Sequence, residues 1–352
     1  MKRKTYAVLF SLLTLILIIT NFSFAQNNEI WKDVFDFSKV IKYWDQANLS
    51  PNYNSVVLTK DYIYVTASQR NRIIGFSYDS QYVKEIKDVK TKKHPTFYPF
   101  IMFYDSNKFY IVNEDYQYID IIDNTGDVLN EFKIKDSEEI SGIFVKSGML
   151  FLNVRYKKKE RKRKLVTIFS EKGKKLDEIG SILDAKNHLG YLKFNSVKFA
   201  VKGNILYGAF DYYPLIFSYN IRTKREILWK DLRYKGLKEI DILMKRVKEY
   251  HKDWVDSMAN KNVINLLRIC SGFDVDGDGN MYYLVNSDYK NEFATTVLKF
   301  GPHGKLLKRY HPSFNNTPIG YSVFLKVINN SLYIIGAYND NYHLFSLNIK
   351  TP

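Results

Sequence analysis

The sequence has few of the residues that cross-link a chain or interrupt its secondary structure. Its 352 residues include one cysteine, Cys270, so no intrachain disulfide can form and a large core must stabilise the fold. Cys270 lies in the apolar stretch "LLRICSGF", which predicts a buried thiol and not a nucleophile. Proline (8) and glycine (17) are few beside 28 Tyr and 24 Phe, a composition that favours β-strands.

Catalytic and metal-binding patterns are also missing from the sequence. The histidines, at positions 94, 188, 251, 303, 311 and 343, do not recur at equivalent places, so they do not predict a shared metal. The chain shows no Ser-His-Asp arrangement and no phosphate-cradling glycine loop. We therefore predict neither catalytic residues nor metal ligands.

The N-terminus has the pattern of a secretory signal peptide. Lys2, Arg3 and Lys4 precede an apolar run, and Ser23 and Ala25 supply the small residues that a signal peptidase accepts. We expect cleavage after Ala25, which makes 1–25 the signal and 26–352 a single domain exported to the periplasm or the outside. The alternative is an uncleaved membrane anchor, although the run is short for a span of about 20 residues.

The chain is basic. Its formal net charge is +16, and removal of the three basic residues of the signal leaves +13. An exported protein with this charge favours anionic partners such as lipid headgroups, acidic polysaccharide or a carboxylate-rich protein. The export signal argues against nucleic acid as the partner.

One pattern recurs six times: an aromatic-rich strand, a polar loop, a second strand, a tight turn and a third strand. Each copy follows a further apolar run, such as "PFIMFY" or "YSVFLKVI". The copies begin at Asp61, Lys108, Met149, Ile205, Asn280 and Ser331. Six four-stranded units of roughly 40–50 residues predict an all-β fold, a six-bladed β-propeller around a channel.

The last copy ends at Pro352 directly after its third strand, so it lacks an outer strand. An unpaired edge of this kind invites aggregation. The segment "IWKDVFDF" (Ile30 to Phe37) alternates like a strand and belongs to no copy. We predict that it pairs with the last blade and closes the ring.

The stretch "FDVDGDGNMYYLVN" opens like an EF-hand loop, with Asp at 274, 276 and 278 followed by Gly279. An EF-hand requires a bidentate carboxylate at the twelfth position of the loop. Val285 stands there, inside an apolar run of strand type. The stretch therefore predicts a strand, an Asp/Gly turn and a second strand.

Two segments depart from a bare propeller. Apolar residues at helical spacing over about 236–262 predict an inserted amphipathic helix, which either caps the ring or forms a lid or docking surface.

The segment "RYKKKERKRK" (Arg155 to Lys164) carries eight basic residues and one acid, and we expect it to project into solvent as a hairpin tip. Its alternative role is contact with an anionic surface. The residues that would make this contact are Lys157, Lys158, Lys159, Arg161 and Lys162.

Four copies carry an acidic and aromatic pair in their polar loop. The pairs are Asp115 with Tyr116, Asp211 with Tyr212, Asp288 with Tyr289, and Asp340 with Tyr342. In a propeller all four would lie on one face, where Tyr rings offer stacking surfaces and Asp accepts hydrogen bonds from sugar hydroxyls, peptide amides or cations. The pairs are either a ligand-binding mouth or turn residues shared by descent.

The first and fifth copies resemble NHL-type (TolB-like) six-bladed β-propellers of exported bacterial proteins. Their segments "YIYVTASQRNRIIGFSYDSQYVKEI" and "FDVDGDGNMYYLV…VLKFGPHGKLLKRY" follow the pattern of Asp-Gly-Asn, aromatic strand, polar loop, Arg-Ile-type strand and glycine turn. Copies three, four and six match loosely. This fold hosts lyases, lactonases and binding proteins, so the resemblance implies no single activity.

We expect a non-catalytic binding module for a protein, peptide or glycan. The alternative is a propeller hydrolase, lactonase or lyase that uses calcium held by Asp, Asn and Glu at the channel mouth.

Overall fold

The computed structural model describes most of the chain after residue 28. The described ranges are 29–40, 55–67, 71–81, 83–113, 117–156, 164–184, 192–233, 236–243, 245, 268–289, 292–339 and 341–349. The chain divides into two units, Met1–Ile30 and Trp31–Pro352, and every strand belongs to the second. Within these ranges, the structure contains no helix long and apolar enough to span a membrane.

The second unit contains six four-stranded antiparallel sheets, which we number as blades in chain order. Blade 1 contains β2 (Val56–Leu58), β3 (Tyr62–Ala67), β4 (Arg72–Ser77) and β5 (Val83–Ile86). Blade 2 contains β6 (Pro99–Asp105), β7 (Lys108–Asn113), β8 (Tyr118–Asp123) and β9 (Val128–Lys133). Blade 3 contains β10 (Ser137–Lys146), β11 (Met149–Tyr156), β12 (Val166–Ser170) and β13 (Lys175–Ile179).

The remaining blades follow the same order. Blade 4 contains β14 (Val197–Lys202), β15 (Ile205–Phe210), β16 (Leu215–Asn220) and β17 (Glu226–Asp231). Blade 5 contains β18 (Gly272–Val275), β19 (Met281–Tyr289), β20 (Glu292–Phe300) and β21 (Leu306–Tyr310). Blade 6 contains β24 (Ser322–Ile328), β25 (Ser331–Tyr338), β26 (Asn341–Asn348) and, from the other end of the chain, β1 (Lys32–Asp36). A short hairpin, β22 (Ser313–Phe314) and β23 (Thr317–Pro318), precedes it.

Each blade packs face to face on its neighbours. The middle strands are buried on both faces, as in β3 and β8, because both faces are covered by another blade. Six hydrophobic clusters result, one at each blade interface, and Phe and Tyr rings dominate several of them. The six-bladed β-propeller predicted from the repeats is confirmed.

The N-terminal strand closes the ring as predicted. β1 pairs with β26 in antiparallel register, Lys32 opposite Ser346 and Asp36 opposite His343, with a bulge between Asp33 and Phe35. Phe35 is 2 % exposed and packs on Phe76 of blade 1, with the ring centroids 6.0 Å apart. The strand therefore completes blade 6 and also supplies part of its interface with blade 1.

The Asp-rich stretch is a turn between strands, as predicted. Asp276 accepts hydrogen bonds from the backbone N–H groups of Asp278 at 3.0 Å and Asn280 at 2.9 Å. Gly279 has φ +80°, a left-handed conformation that glycine adopts without a Cβ penalty. Asp274 instead accepts a hydrogen bond from the backbone N–H of Val327 in blade 6, so the three carboxylates do not converge.

The inserted helix is described over its first residues. Residues 238–243 are helical, and Leu237, Ile240 and Leu243 are buried in the cluster between blades 4 and 5. This start of the helix packs on the propeller, as a cap does. The rest of the predicted helix lies outside the described residues.

Deletion of Ile30 to Phe37 tests the closure. Loss of the pairing with β26 and of buried Trp31, Phe35 and Phe37 should lower the free energy of unfolding by several kcal/mol, since burial of each such side chain contributes about 1.5–3 kcal/mol. Denaturant unfolding of the mature chain measures this difference. Ile30→Ala is the matched control, because Ile30 is 70 % exposed and should leave the midpoint unchanged. An unchanged midpoint in the deletion variant would contradict closure by this strand.

Candidate functional site

The loops between the second and third strands of the blades open at one end of the channel. All blades run in the same strand order, so these loops lie at the end where the innermost strands begin. Asp211 and Tyr212 lie there, directly after β15. Of the other predicted pairs, Asp288 and Tyr289 belong to β19 and Tyr342 to β26, because these hairpins continue pairing beyond the expected loop start. Asp115, Tyr116 and Asp340 lie outside the described residues.

A cavity of about 360 Å³ occupies this channel mouth, and residues of all six blades or their connections line it. Its lining includes six charged side chains, four basic and two acidic. They are Glu139, Arg155, Lys193, Lys198, Asp211 and Arg268. The described wall of the mouth therefore carries an excess of two positive formal charges, which favours an anionic ligand.

A serine lies in the innermost strand or directly before it in five blades, a pattern that the sequence reading missed. The tetrapeptides are "SVVL", "SGIF", "SVKF", "SGFD" and "SVFL", beginning at Ser55, Ser141, Ser196, Ser271 and Ser322. Each of these serines hydrogen bonds to a polar side chain on a neighbouring strand of its blade or on the adjoining blade. These partners are Thr66, Asn153, Asp211, Asn286 and Thr295. Asp211 alone among the five partners is charged.

Asp211 differs from the other four partners, which are neutral amides or hydroxyls. It is 4 % exposed, and its Oδ2 accepts a hydrogen bond from Ser196 Oγ at 2.8 Å. Its Oδ1 has no hydrogen-bond donor within the described parts of the chain, and Lys198 Nζ lies 3.6 Å away. A buried carboxylate oxygen without a hydrogen-bond donor is costly, and the nearby Lys198 ammonium offsets part of that cost.

The backbone of Asp211 fixes its position. Its N–H donates to Ser196 O at 2.9 Å, and its carbonyl accepts from the N–H groups of Ile269 and Cys270 at 2.7 and 3.1 Å. These bonds join blades 4 and 5. The carboxylate is thus held by rigid backbone on both sides.

Tyr212 follows with its ring near two cations. Lys193 Nζ lies 5.8 Å and the Arg268 guanidinium carbon 5.9 Å from the ring centroid, within cation–π range. The predicted pair of an acid and a stacking ring at the mouth is present in blade 4. The two cations beside it were not predicted.

Arg155 corrects the expectation that the whole basic segment projects into solvent. It is 2 % exposed at the end of β11, where its guanidinium pairs with Glu139 and donates to Leu192 O at 2.6 Å. A charge paired and hydrogen-bonded in this way can be buried. The five predicted contact residues, Lys157, Lys158, Lys159, Arg161 and Lys162, lie outside the described residues.

Below the mouth, the channel becomes apolar. A second cavity of about 270 Å³ is lined by the innermost strands of all six blades, with Val57, Phe103, Phe199 and Phe324 in its wall. At its far end, Lys326 Nζ lies 3.2 Å from Asp274 Oδ2. The channel thus has a charged mouth, an apolar middle and an ion pair at the other end.

In the described parts of the chain, neither Cys270 nor His94 is placed for catalysis. Cys270 is 0 % exposed, and burial raises the pKa of its thiol far above the ordinary value, so it is no nucleophile at neutral pH. His94 is buried against Asp120, with 2.9 Å between Nε2 and Oδ1, and it fixes the connection between blades 1 and 2. No group of three or more His, Cys, Asp or Glu is placed to hold a metal within these ranges.

The comparisons with known proteins give solved structures of similar shape. No protein-family model matches the chain, and a search of curated proteins finds no match. A luciferin-regenerating enzyme aligns with a TM-score of 0.49 and 10% identity over 91% of this chain and 95% of its own. Virginiamycin B lyase from Staphylococcus aureus aligns at 0.46 and 11% over 86% and 87%, and the calcium-binding protein regucalcin from Agrobacterium tumefaciens at 0.46 and 14% over 85% and 90%. Likenesses this distant carry no argument about activity.

Proposed function

We propose that this chain is a non-catalytic binding module of the envelope or extracellular space, which holds a protein, peptide or glycan ligand at the channel mouth. The observation that supports it best is Asp211, a buried carboxylate in a residue that lines the mouth cavity. The other four serines pair with neutral side chains, and we infer that the charge at this position serves ligand binding.

The proposal includes export and an NHL-type (TolB-like) origin. The N-terminal signal pattern supports export, with retention as a membrane anchor as the alternative. The Asp-Gly-Asn strand, polar loop and glycine turn of blade 5 support the family resemblance. A calcium-dependent hydrolase or lyase is the alternative function. It has less support, because both described carboxylates at the mouth face a base, Glu139 toward Arg155 and Asp211 toward Lys198.

Asp211→Asn tests the binding role of the mouth. Wild type is first screened on glycan and peptide arrays, and each hit is then titrated against the variant by calorimetry. The amide keeps an oxygen for Ser196 and removes the charge beside Lys198, so affinity should change by about ten-fold or more while the fold is kept. It should fall for a ligand that donates a hydrogen bond to Asp211 and rise for an anionic ligand. Asp278→Asn, on an exposed turn at the other end of the channel, is the matched control and should bind like wild type. Equal binding by all three proteins would contradict a ligand at Asp211.

The effect of calcium on stability distinguishes the proposed binding module from the alternative, a calcium-dependent enzyme. Scanning calorimetry of the mature chain should give the same melting temperature with Ca²⁺ as with EDTA. A native calcium site would instead raise the melting temperature with metal concentration, because binding to the folded state alone stabilises it by mass action. Such a rise would favour the calcium-dependent enzyme.

The basic segment is proposed as a contact to an anionic envelope surface. It joins β11 to β12, so its strands anchor it at the same end as the channel mouth. Each Lys or Arg near an acidic membrane contributes about 1 kcal/mol to binding.

Replacement of Lys157, Lys158, Lys159, Arg161 and Lys162 by Gln tests this contact. Binding to anionic vesicles should weaken sharply, and the wild-type affinity should fall as salt shortens the Debye length from about 10 Å at 0.1 M to about 3 Å at 1 M. Vesicle co-sedimentation measures both effects, and neutral vesicles are the control. Equal retention of wild type and variant at low salt would leave the segment a solvated tip.

A further inference from the structure

The mouth cavity and the apolar cavity adjoin and share part of their wall. Six residues line both cavities, and three of them are serines of the innermost strands. The shared residues are Ser55, Ile101, Ser141, Lys198, Ser271 and Val323. A ligand that enters the mouth therefore meets an apolar passage directly beyond it.

Lys198 is the one charged residue in this shared set. Its side chain is 29 % exposed, and its ammonium group lies 3.6 Å from Asp211 Oδ1, beyond hydrogen-bonding distance. Its three donors are therefore not saturated by that carboxylate. Lys193 and Arg268 add positive charge at the outer wall, so the mouth remains cationic around this point.

The passage beyond Lys198 suits an apolar group. Phe103, Phe199 and Phe324 lie in its wall, and the rings of Phe103 and Phe144 are 4.8 Å apart. Ligand sites of this kind combine a mostly apolar lining with a few placed polar groups that fix orientation. A cation at the entrance and aromatic rings behind it select a molecule that is charged at one end only.

We propose that the ligand of the mouth is an amphipathic carboxylate of fatty-acid type, with its carboxylate at Lys198 and its apolar body in the channel. This inference rests on the proposed function, since it names the ligand class of the same site. The charge gradient along the channel explains why the head would stay at the mouth. The apolar body would leave water for a cavity of about 270 Å³.

A chain-length series tests the inference. Acetate, hexanoate, octanoate and decanoate are titrated into the mature chain by calorimetry. Each added methylene that is buried should tighten binding roughly four-fold, the value expected for apolar transfer. Octanol, which has the same chain as octanoate without the charge, should bind at least about ten-fold more weakly than octanoate.

Two variants test where the carboxylate and the apolar chain of the ligand bind. Lys198→Gln should weaken octanoate by about ten-fold or more and change octanol little. Lys202→Gln is the matched control, an exposed lysine on the same strand. Val323→Trp places a ring where the two cavities meet and should remove the dependence on chain length. If this variant fails to fold, Ile101→Phe at the same junction takes its place.

The outcomes distinguish a failure of this inference from a failure of the proposed binding function. Affinities that stay flat from acetate to decanoate would overturn the amphipathic ligand, and an array ligand still weakened by Asp211→Asn would leave the binding function standing. Equal binding of octanol and octanoate would overturn the role of Lys198. If neither the carboxylates nor any array ligand binds, both proposals fail.

Discussion

Everything in this fold depends on one antiparallel ladder, the pairing of β1 with β26. The chain has a single cysteine, so no disulfide can join its ends, and backbone hydrogen bonds between the first and last strands do so instead. His343 strengthens this closure, with Nδ1 2.9 Å from Asp33 Oδ2 across the ladder. Because every blade or its connections contribute to the mouth, the cavity has its shape only while the ring is closed.

The candidate site arises where one blade departs from the repeat. In blades 1, 3 and 5, a serine near the start of the innermost strand meets a neutral partner on the second strand, which ties the blade together without excess charge. In blade 4 that partner is a carboxylate, and a lysine follows two residues after the serine. Packing alone would select the neutral residue, since burial of a charge costs free energy unless it is compensated. Lys198, 3.6 Å away, and Ser196 compensate part of that cost.

The sequence was sufficient to predict the fold, because short local patterns in the sequence specify each blade. Alternating strands, glycine turns and the unpaired "IWKDVFDF" predicted the blades and their closure, and Val285 excluded an EF-hand before any coordinates. The site was only half predictable. Asp211 and Tyr212 stood out as an acidic and aromatic pair, but Lys198 sits inside an apolar strand and Arg155 inside a basic run. Their partners lie on the adjacent strand of the same blade or at its end, Glu139 for Arg155 and Asp211 for Lys198, which no local pattern shows.

The polarity of the channel follows from the same architecture. The innermost strands of all six blades run along the channel, so each depth of the channel is lined by corresponding residues of these strands. Serines and charges gather where the strands begin, phenylalanines come next, and the Lys326–Asp274 pair lies at the other end. Electrostatic attraction is stronger in a partly buried site than in water, so a half-buried Lys198 acts more strongly on an anion than the exposed lysines of the surface. Asp211 moderates that attraction without cancelling it, because Lys193, Arg155 and Arg268 outnumber the remaining acid at the mouth.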